Sequence, residues 1–486
     1  MIKLKNIFVS SALAFSAFAF SQGTFTNSNY PQTYESQISN TVKDFTHTEK
    51  IMSPKELVDI NINSMMSDAV LRNASWGFVI YDPKTKKIVS SYNENTPLVP
   101  ASTTKLLTTE TAVNLLGEKF RWMTQLEYSG NIDAEGVLQG NLYIVGSGDP
   151  SLGTNKAGAS SYKNIISDFI LAMSEKGIKK VNGDIITQTG VFKANKSQQL
   201  PENIVWLENG NYYLPVGSTL EISPANEKLI AKKSNPFAEN KNFYYISPYI
   251  KQMVYADQFE GMGLTTKLPD APAYLANTLR ATMLKSGMSV VGKVVNKPTD
   301  SNPEKREFIT AYQSPTLSDI MYYINQRSDN ALAEAFLRMV GFQKNGDQTL
   351  ESGRKVVVDH LKEIDFDTSG LNYMDGSGLS RSNLVTPISQ VKFLTSLMNE
   401  KYYKTYFDSL PIGGQTGTLK KMFNTEGNGQ VFAKTGTLNK VKTLAGYMKT
   451  NSGKTLVFSL LINNYAGSVD QVKSKMEQLL QPALSL

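Results

Sequence analysis

The spacing of apolar positions changes several times along the chain, and each change predicts a different kind of element. Trp76 to Tyr81 and Ile88 to Tyr92 are short runs rich in aromatic and β-branched residues. The polar stretch Asp82 to Lys87 between them predicts a two-stranded hairpin. After Pro100, Leu106, Thr109, Val113 and Leu116 recur at three- and four-residue steps. That spacing predicts a helix of about 15 residues starting at Ser102 and stopping at Gly117. From about Phe120 to Lys305 the pattern becomes short strand-like runs between Gly, Asn and Asp turns, with helices expected over Tyr162 to Lys176 and Pro269 to Gly287. Beyond the polar connector Lys297 to Glu304, helical spacing returns in Leu317 to Asn325, Ala331 to Val340 and Leu350 to Ile364. Three strand runs then follow, Gln430 to Ala433, Thr443 to Met448 and Thr455 to Ile462, the last two joined by an Asn451-Ser452-Gly453 turn. A helix is expected over Val469 to Leu480.

Strands at both ends with helices between them predict an antiparallel sheet built from the two ends of the chain, interrupted by the β-rich middle. The expected fold class is α/β, in the α+β sense of a sheet flanked by helices. The expected division is residues 49–119 with 306–486 as one domain and 120–305 as a large β-rich insertion. Residues 22–48 read as a polar lead-in.

The first 21 residues have a different character. A short basic start is followed by a run from Ile7 to Phe20 of apolar and small residues, and Ala19-Phe20-Ser21 has the small-x-small form of a signal-peptide cleavage site. The run is shorter than the roughly 20 residues that span a bilayer. The expectation is an exported, periplasmic protein cleaved near Ser21, with at most peripheral membrane contact. The formal charge is +7 over 486 residues, and loss of Lys3 and Lys5 with the leader leaves +5. This mild excess contains no long basic run, so no nucleic-acid partner is expected. Zero Cys excludes thiolate nucleophiles and metal–thiolate sites, and His47 and His360 are the only imidazoles. No cofactor or metal is expected.

Three short motifs carry candidate chemistry. Ser102-Thr103-Thr104-Lys105 opens the first helix with a hydroxyl and an amine on one face, so the amine can take the proton of a serine nucleophile. Ser328-Asp329-Asn330 falls between two helices, offering a hydroxyl for proton relay and an amide to hold a substrate amide. Lys434-Thr435-Gly436-Thr437 lies in a strand run, where a cation and hydroxyls suit a carboxylate, and Gly436 is expected to let a ligand backbone lie against the edge. A backbone N–H near Thr437 would complete an oxyanion hole. Each motif alone is common: Ser160-x-x-Lys163, Ser91-x-Asn93 and Gln415-Thr416-Gly417-Thr418 are near copies that read as caps and turns.

Together, in this order and in these contexts, the motifs resemble the serine penicillin-recognising superfamily. The 223 positions from Lys105 to Ser328, with Gly148-Asp149-Pro150, Asp375 to Arg381 and Gly417-Thr418-Leu419, resemble its D-alanyl-D-alanine carboxypeptidase/endopeptidase branch, the low-molecular-mass class C penicillin-binding proteins of peptidase family S13. The resemblance implies a β-lactamase/transpeptidase-like catalytic domain. It implies Ser102 as the acylated residue, Lys105 as its base and Ser328 in proton handling. Asn330, Lys434, Thr435, Gly436 and Thr437 would bind substrate, with Arg381 as a further contact. Peptidoglycan peptides are the implied substrate and β-lactams the implied covalent inhibitors. Gln188 stands where the resemblance implies an acid in the insertion. The competing readings are a serine β-lactamase, which needs a water-activating group for fast deacylation, and a non-catalytic wall-binding protein.

Overall fold

Period-two alternation decides how the principal sheet is covered. In the computed structural model, which describes residues 52–189, 271–297 and 303–486 and the backbone of four short strands between 204 and 255, five antiparallel strands lie in one sheet. Their order is Val431–Leu438, Val441–Lys449, Thr455–Asn463, Ser75–Asp82 and Lys87–Tyr92. Trp76, Phe78 and Ile80 point to one face, and Val79 and Tyr81 to the other. Leu456, Phe458, Leu460 and Ile462 join the first set, Val457 and Leu461 the second, which is why this strand reads as an apolar run broken only at Ser459.

The first face is covered by helices Pro54–Ser67 and Val469–Leu480, the second by Lys105–Leu116, Leu317–Arg327, Asn330–Asn345, Leu350–Glu363 and Pro387–Leu397. Pro54–Ser67 was not predicted. Its start is written in Ser53 and Glu56, which form a reciprocal capping box with Pro54 at the first helical position. The expected 15-residue helix at Ser102 is instead a 3₁₀ turn, Ala101–Thr104, leading into Lys105–Leu116.

A second five-stranded sheet runs Val294–Asn296, Ile185–Gln188, Leu142–Gly146, Met123–Ser129 and Arg306–Gln313. A small four-stranded sheet and helices Tyr162–Glu175 and Ala271–Lys285 accompany it, around a core that includes Leu126, Ile144, Phe169, Ile185 and Leu279. Residue 306, the expected return point to the first domain, begins a strand of this second sheet. Arg306–Gln313 pairs with Met123–Ser129 from Arg306↔Ser129 to Gln313↔Met123, so the chain comes back beside the strand by which it left. The leader, the lead-in and most of residues 190–270 lie outside the described residues.

Candidate active site

The turn carrying Ser102 is pinned from three sides. Ala101 is fully buried and sits at φ +46°, a left-handed backbone that a residue with a Cβ adopts at a cost of about 1–3 kcal/mol. Two glycines hold it there by close approach. A Cβ on Gly378 would lie 1.9 Å from the Ala101 carbonyl oxygen, and one on Gly436 would lie 2.7 Å from the Pro100 oxygen and 2.8 Å from the Ser102 nitrogen. Thr443 donates its hydroxyl to the Pro100 carbonyl at 2.7 Å, and Thr103 does the same at 2.8 Å. Gly436 therefore serves packing of the strand onto this turn rather than the expected approach of a ligand backbone.

Lys105, one residue into the helix, is fully buried and aimed back at the turn. Its Nζ donates to Ser102 Oγ at 3.0 Å, to Asn330 Oδ1 at 2.7 Å and to the Ser377 carbonyl at 2.6 Å. The Ser377 carbonyl belongs to the Asp375 to Arg381 loop, which is itself held by two acids. Glu334 accepts from the Gly376 and Ser377 N–H groups at 3.2 and 2.9 Å, and Asp375 accepts from Gly378 and Ser380, both at 2.6 Å. Burial pushes the Glu334 carboxyl above its ordinary value, with nearby Asp375 adding to the rise.

Ser328 ends helix Leu317–Arg327 in the left-handed region, φ 58°, and Asp329 then caps Asn330–Asn345 through the Leu332 N–H. The break between the helices places both side chains of the motif in the site, Asn330 on Lys105 and Ser328 on Lys434. Lys156, from the segment ahead of helix Tyr162–Glu175, reaches Asp329 at 2.5 Å. Lys434 Nζ donates to Ser328 Oγ and to the Thr435 carbonyl, both at 2.9 Å. Complete burial holds the Lys434 ammonium well below the ordinary lysine range, and Lys105 and then Lys442 push the same way.

The strand Val431–Leu438 is the free edge of its sheet. Ala433 N–H points off that edge to the Pro411 carbonyl at 3.0 Å, so two-residue alternation turns the N–H groups of Thr435 and Thr437 outward as well. Thr435 donates its hydroxyl to Thr418 Oγ1 at 2.7 Å, and Thr437 Oγ1 accepts from Lys442 Nζ at 2.6 Å. Arg381 is exposed and donates to the carbonyl of Asn439, tying the Asp375 to Arg381 loop to the end of this strand.

The structure thus brings Ser102, Lys105, Ser328, Asn330 and Lys434 together and sets Thr435, Gly436, Thr437 and Arg381 along the neighbouring edge. The two side chains of the motif divide between the lysines: Ser328 is bonded to Lys434, while Asn330 takes Lys105. The near copies separate differently. Ser161 is a plain N-cap on Asn164, whereas Thr418, read as an ordinary turn, belongs to the site through Thr435. Glu334, Lys442 and Lys156 were not anticipated, and Thr418 was noted only as part of the Gly417-Thr418-Leu419 segment. Glu334 alone had a signal, standing one helical turn after Asn330. Gln188 accepts from Arg306 in the second sheet at 2.8 Å. His360 is bound to Glu110 at 2.9 Å inside the helical core. Among the described residues, no group of three or more His, Asp or Glu is placed to hold a metal.

The architecture is thus a sheet with helices on both faces and a serine–lysine pair packed against its edge strand. Among solved structures, penicillin binding protein 4 (dacB) from Haemophilus influenzae shares this fold at a TM-score of 0.68 and 22% identity, over 88% of this chain and all of that one. The D-alanyl-D-alanine carboxypeptidase DacB of Haemophilus influenzae is 25% identical over 87% of this chain and 92% of its own length. A D-alanyl-D-alanine carboxypeptidase of Actinomadura sp. (strain R39) is 28% identical over 84% and 81%. Residues 58–232 and 254–483 match the D-Ala-D-Ala carboxypeptidase 3 (S13) family, and the chain belongs to it.

Proposed function

We propose that this member of the family is an exported serine DD-peptidase acting on peptidoglycan peptides through an acyl-enzyme at Ser102. Ser102 Oγ attacks the carbonyl of the penultimate D-Ala while its proton passes to Lys105 Nζ, for which Lys105 must be neutral. Two buried ammonium groups as close as Lys105 and Lys434 repel, so the site favours one proton fewer than two free lysines would carry. The carbonyl oxygen, negative in the tetrahedral intermediate, meets the N–H groups of Ser102 and Thr437. The C–N bond then breaks, and the leaving amine takes its proton by way of Ser328, the hydroxyl that Lys434 orients. Water attacks the ester in the second half of the reaction, Lys105 takes its proton and returns it to Ser102 Oγ as the C–O bond breaks, and the acid product and the free serine result.

Thr437, the Thr435–Thr418 hydroxyl pair, whose onward proton is that of Thr418, and the field of Lys434 receive the terminal carboxylate. Asn330, whose Oδ1 is taken by Lys105, offers its amide N–H to the substrate's peptide bond, and Arg381 extends contact beyond the edge strand. Whether D-alanine or a cross-linked peptide leaves, the acyl chemistry is the same, so carboxypeptidase and endopeptidase action share one site. The related enzymes and the β-lactam-bound structure of the Haemophilus influenzae protein support penicillins as covalent ligands of Ser102. The leader supports action in the periplasm, and the segment 120–305 is read as an insertion that flanks the site and supports the Ser328–Asn330 turn through Lys156.

The observation that carries the reading is the convergence of three motifs on one point: Lys105 reaches Ser102 within its own motif and Asn330 225 residues away, and Lys434 reaches Ser328 106 residues away. Ser102→Ala should abolish covalent labelling by a fluorescent penicillin and leave the melting temperature within a few degrees of wild type. Persistent labelling of a folded S102A protein would remove Ser102 from the mechanism.

A further inference from the structure

Lys442 is a buried cation with an unusual set of neighbours. It lies in the strand Val441–Lys449, directly across from Thr437, with only 4% of its surface exposed. Among the described residues, no carboxylate lies within ion-pairing distance of it, and its Nζ bonds to Thr437 Oγ1 at 2.6 Å. Helix Val469–Leu480 presents Asp470 and Lys473 to it, of opposite sign, and Lys434 adds a third charge from the neighbouring strand. A buried ammonium without a balancing anion is costly unless it serves an anion that arrives later.

Hydrogen-bond direction shows what Lys442 does to its neighbour. An ammonium only donates, so Thr437 Oγ1 must accept from it, and the Thr437 hydroxyl proton is left to point away from Lys442. Thr435, the other hydroxyl of the motif, spends its proton on Thr418 Oγ1. Of these two hydroxyls, the exposed Thr437 is therefore the one set to donate outward, and it carries the polarisation of a cation behind it.

Resting on the DD-peptidase reading, we propose that Lys442 is a positioning residue for substrates ending in a free α-carboxylate, acting through Thr437 to orient its hydroxyl and supply positive potential. Substrates that lack this carboxylate gain nothing from it. Burial, then Lys473, lowers the Lys442 ammonium to about 8, so its assistance is present below that pH and lost above it.

The test uses the full mature protein and two N-acyl peptides ending in D-Ala-D-Ala, one with a free carboxylate and one with a C-terminal amide. KM and kcat are read from pH 6.5 to 9.5 for wild type, Lys442→Met and Lys442→Arg. In wild type, KM for the acid should rise about tenfold through pH 8, the worth of one charge-assisted hydrogen bond. It should be high at every pH in K442M and low and flat in K442R, with KM for the amide peptide unmoved. Equal KM for the acid in K442M and wild type overturns the proposal. So does a K442R profile that follows wild type, a comparison that stands even if K442M fails to fold. Wild-type protein that labels with no penicillin and cleaves neither peptide overturns the serine-peptidase reading itself, and this inference with it.

Discussion

Replacing Gly436 with alanine tests whether the edge strand must touch the nucleophile turn. The added methyl would lie 2.1 Å from Thr443 Oγ1, 2.7 Å from the Pro100 oxygen and 2.8 Å from the Ser102 nitrogen. Thr443 can rotate away, but only by giving up its 2.7 Å bond to the Pro100 carbonyl. The other two contacts are backbone and have no such freedom. Restoring ordinary contact at about 3.4 Å needs a separation of roughly 0.7 Å between strand and turn, since overpacked sites relax by backbone movement. Overpacking and the lost hydrogen bond together should cost about 2–4 kcal/mol of stability. The larger effect falls on catalysis, because the same movement carries the Thr437 N–H away from where the oxyanion forms. Misplacement of order 1 Å costs about 100-fold in rate. Stopped-flow acylation by a chromogenic cephalosporin, alongside thermal melting, measures both. A G436A protein that acylates within twofold of wild type would show that the strand and the turn are not mechanically coupled.

Two further outcomes separate function from scaffold. Lys434→Met should slow penicillin acylation by at least about 100-fold while leaving the melting temperature unchanged or higher, because it removes a buried cation whose charge the fold disfavours; a lower melting temperature with normal acylation would contradict this. His360→Ala should do the reverse. It strips one partner from the fully buried Glu110, which keeps the 2.6 Å bond from Tyr402, at a cost of about 3–5 kcal/mol by chemical denaturation. Acylation per folded molecule should be unchanged, and recovery of stability in an H360L/E110L double variant checks the cause.

Much of the fold is legible in the sequence because its elements are long and strongly periodic. Leu317–Arg327, Asn330–Asn345, Leu350–Glu363 and Val469–Leu480 all lie within a few residues of where apolar spacing puts them. Pro387–Leu397 escaped because it is buried on most of its circumference, which leaves no polar stripe to reveal the helical period. The site residues were legible for another reason: Ser102, Lys105, Ser328, Asn330 and Lys434 sit in local motifs whose spacing is itself informative. Lys442 has no such signature, Glu334 has only its place one helical turn after Asn330, and Thr418 sits in a Gly417-Thr418-Leu419 segment that reads locally as a turn. Their roles arise from what a distant loop or a neighbouring strand brings within 3 Å, and a sequence does not display that distance.

The pairing of Ser75–Asp82 with Thr455–Asn463 joins segments almost four hundred residues apart. Native pairings of such high contact order form late, after the entropy of closing a very large loop has been overcome. The nucleophile is synthesised early, but the strand that pins it and supplies its anion-binding edge leaves the ribosome near the end. On the proposed reading, a chain in which that strand has yet to pair would therefore be chemically inert, and capture by a penicillin would have to wait for the folded sheet.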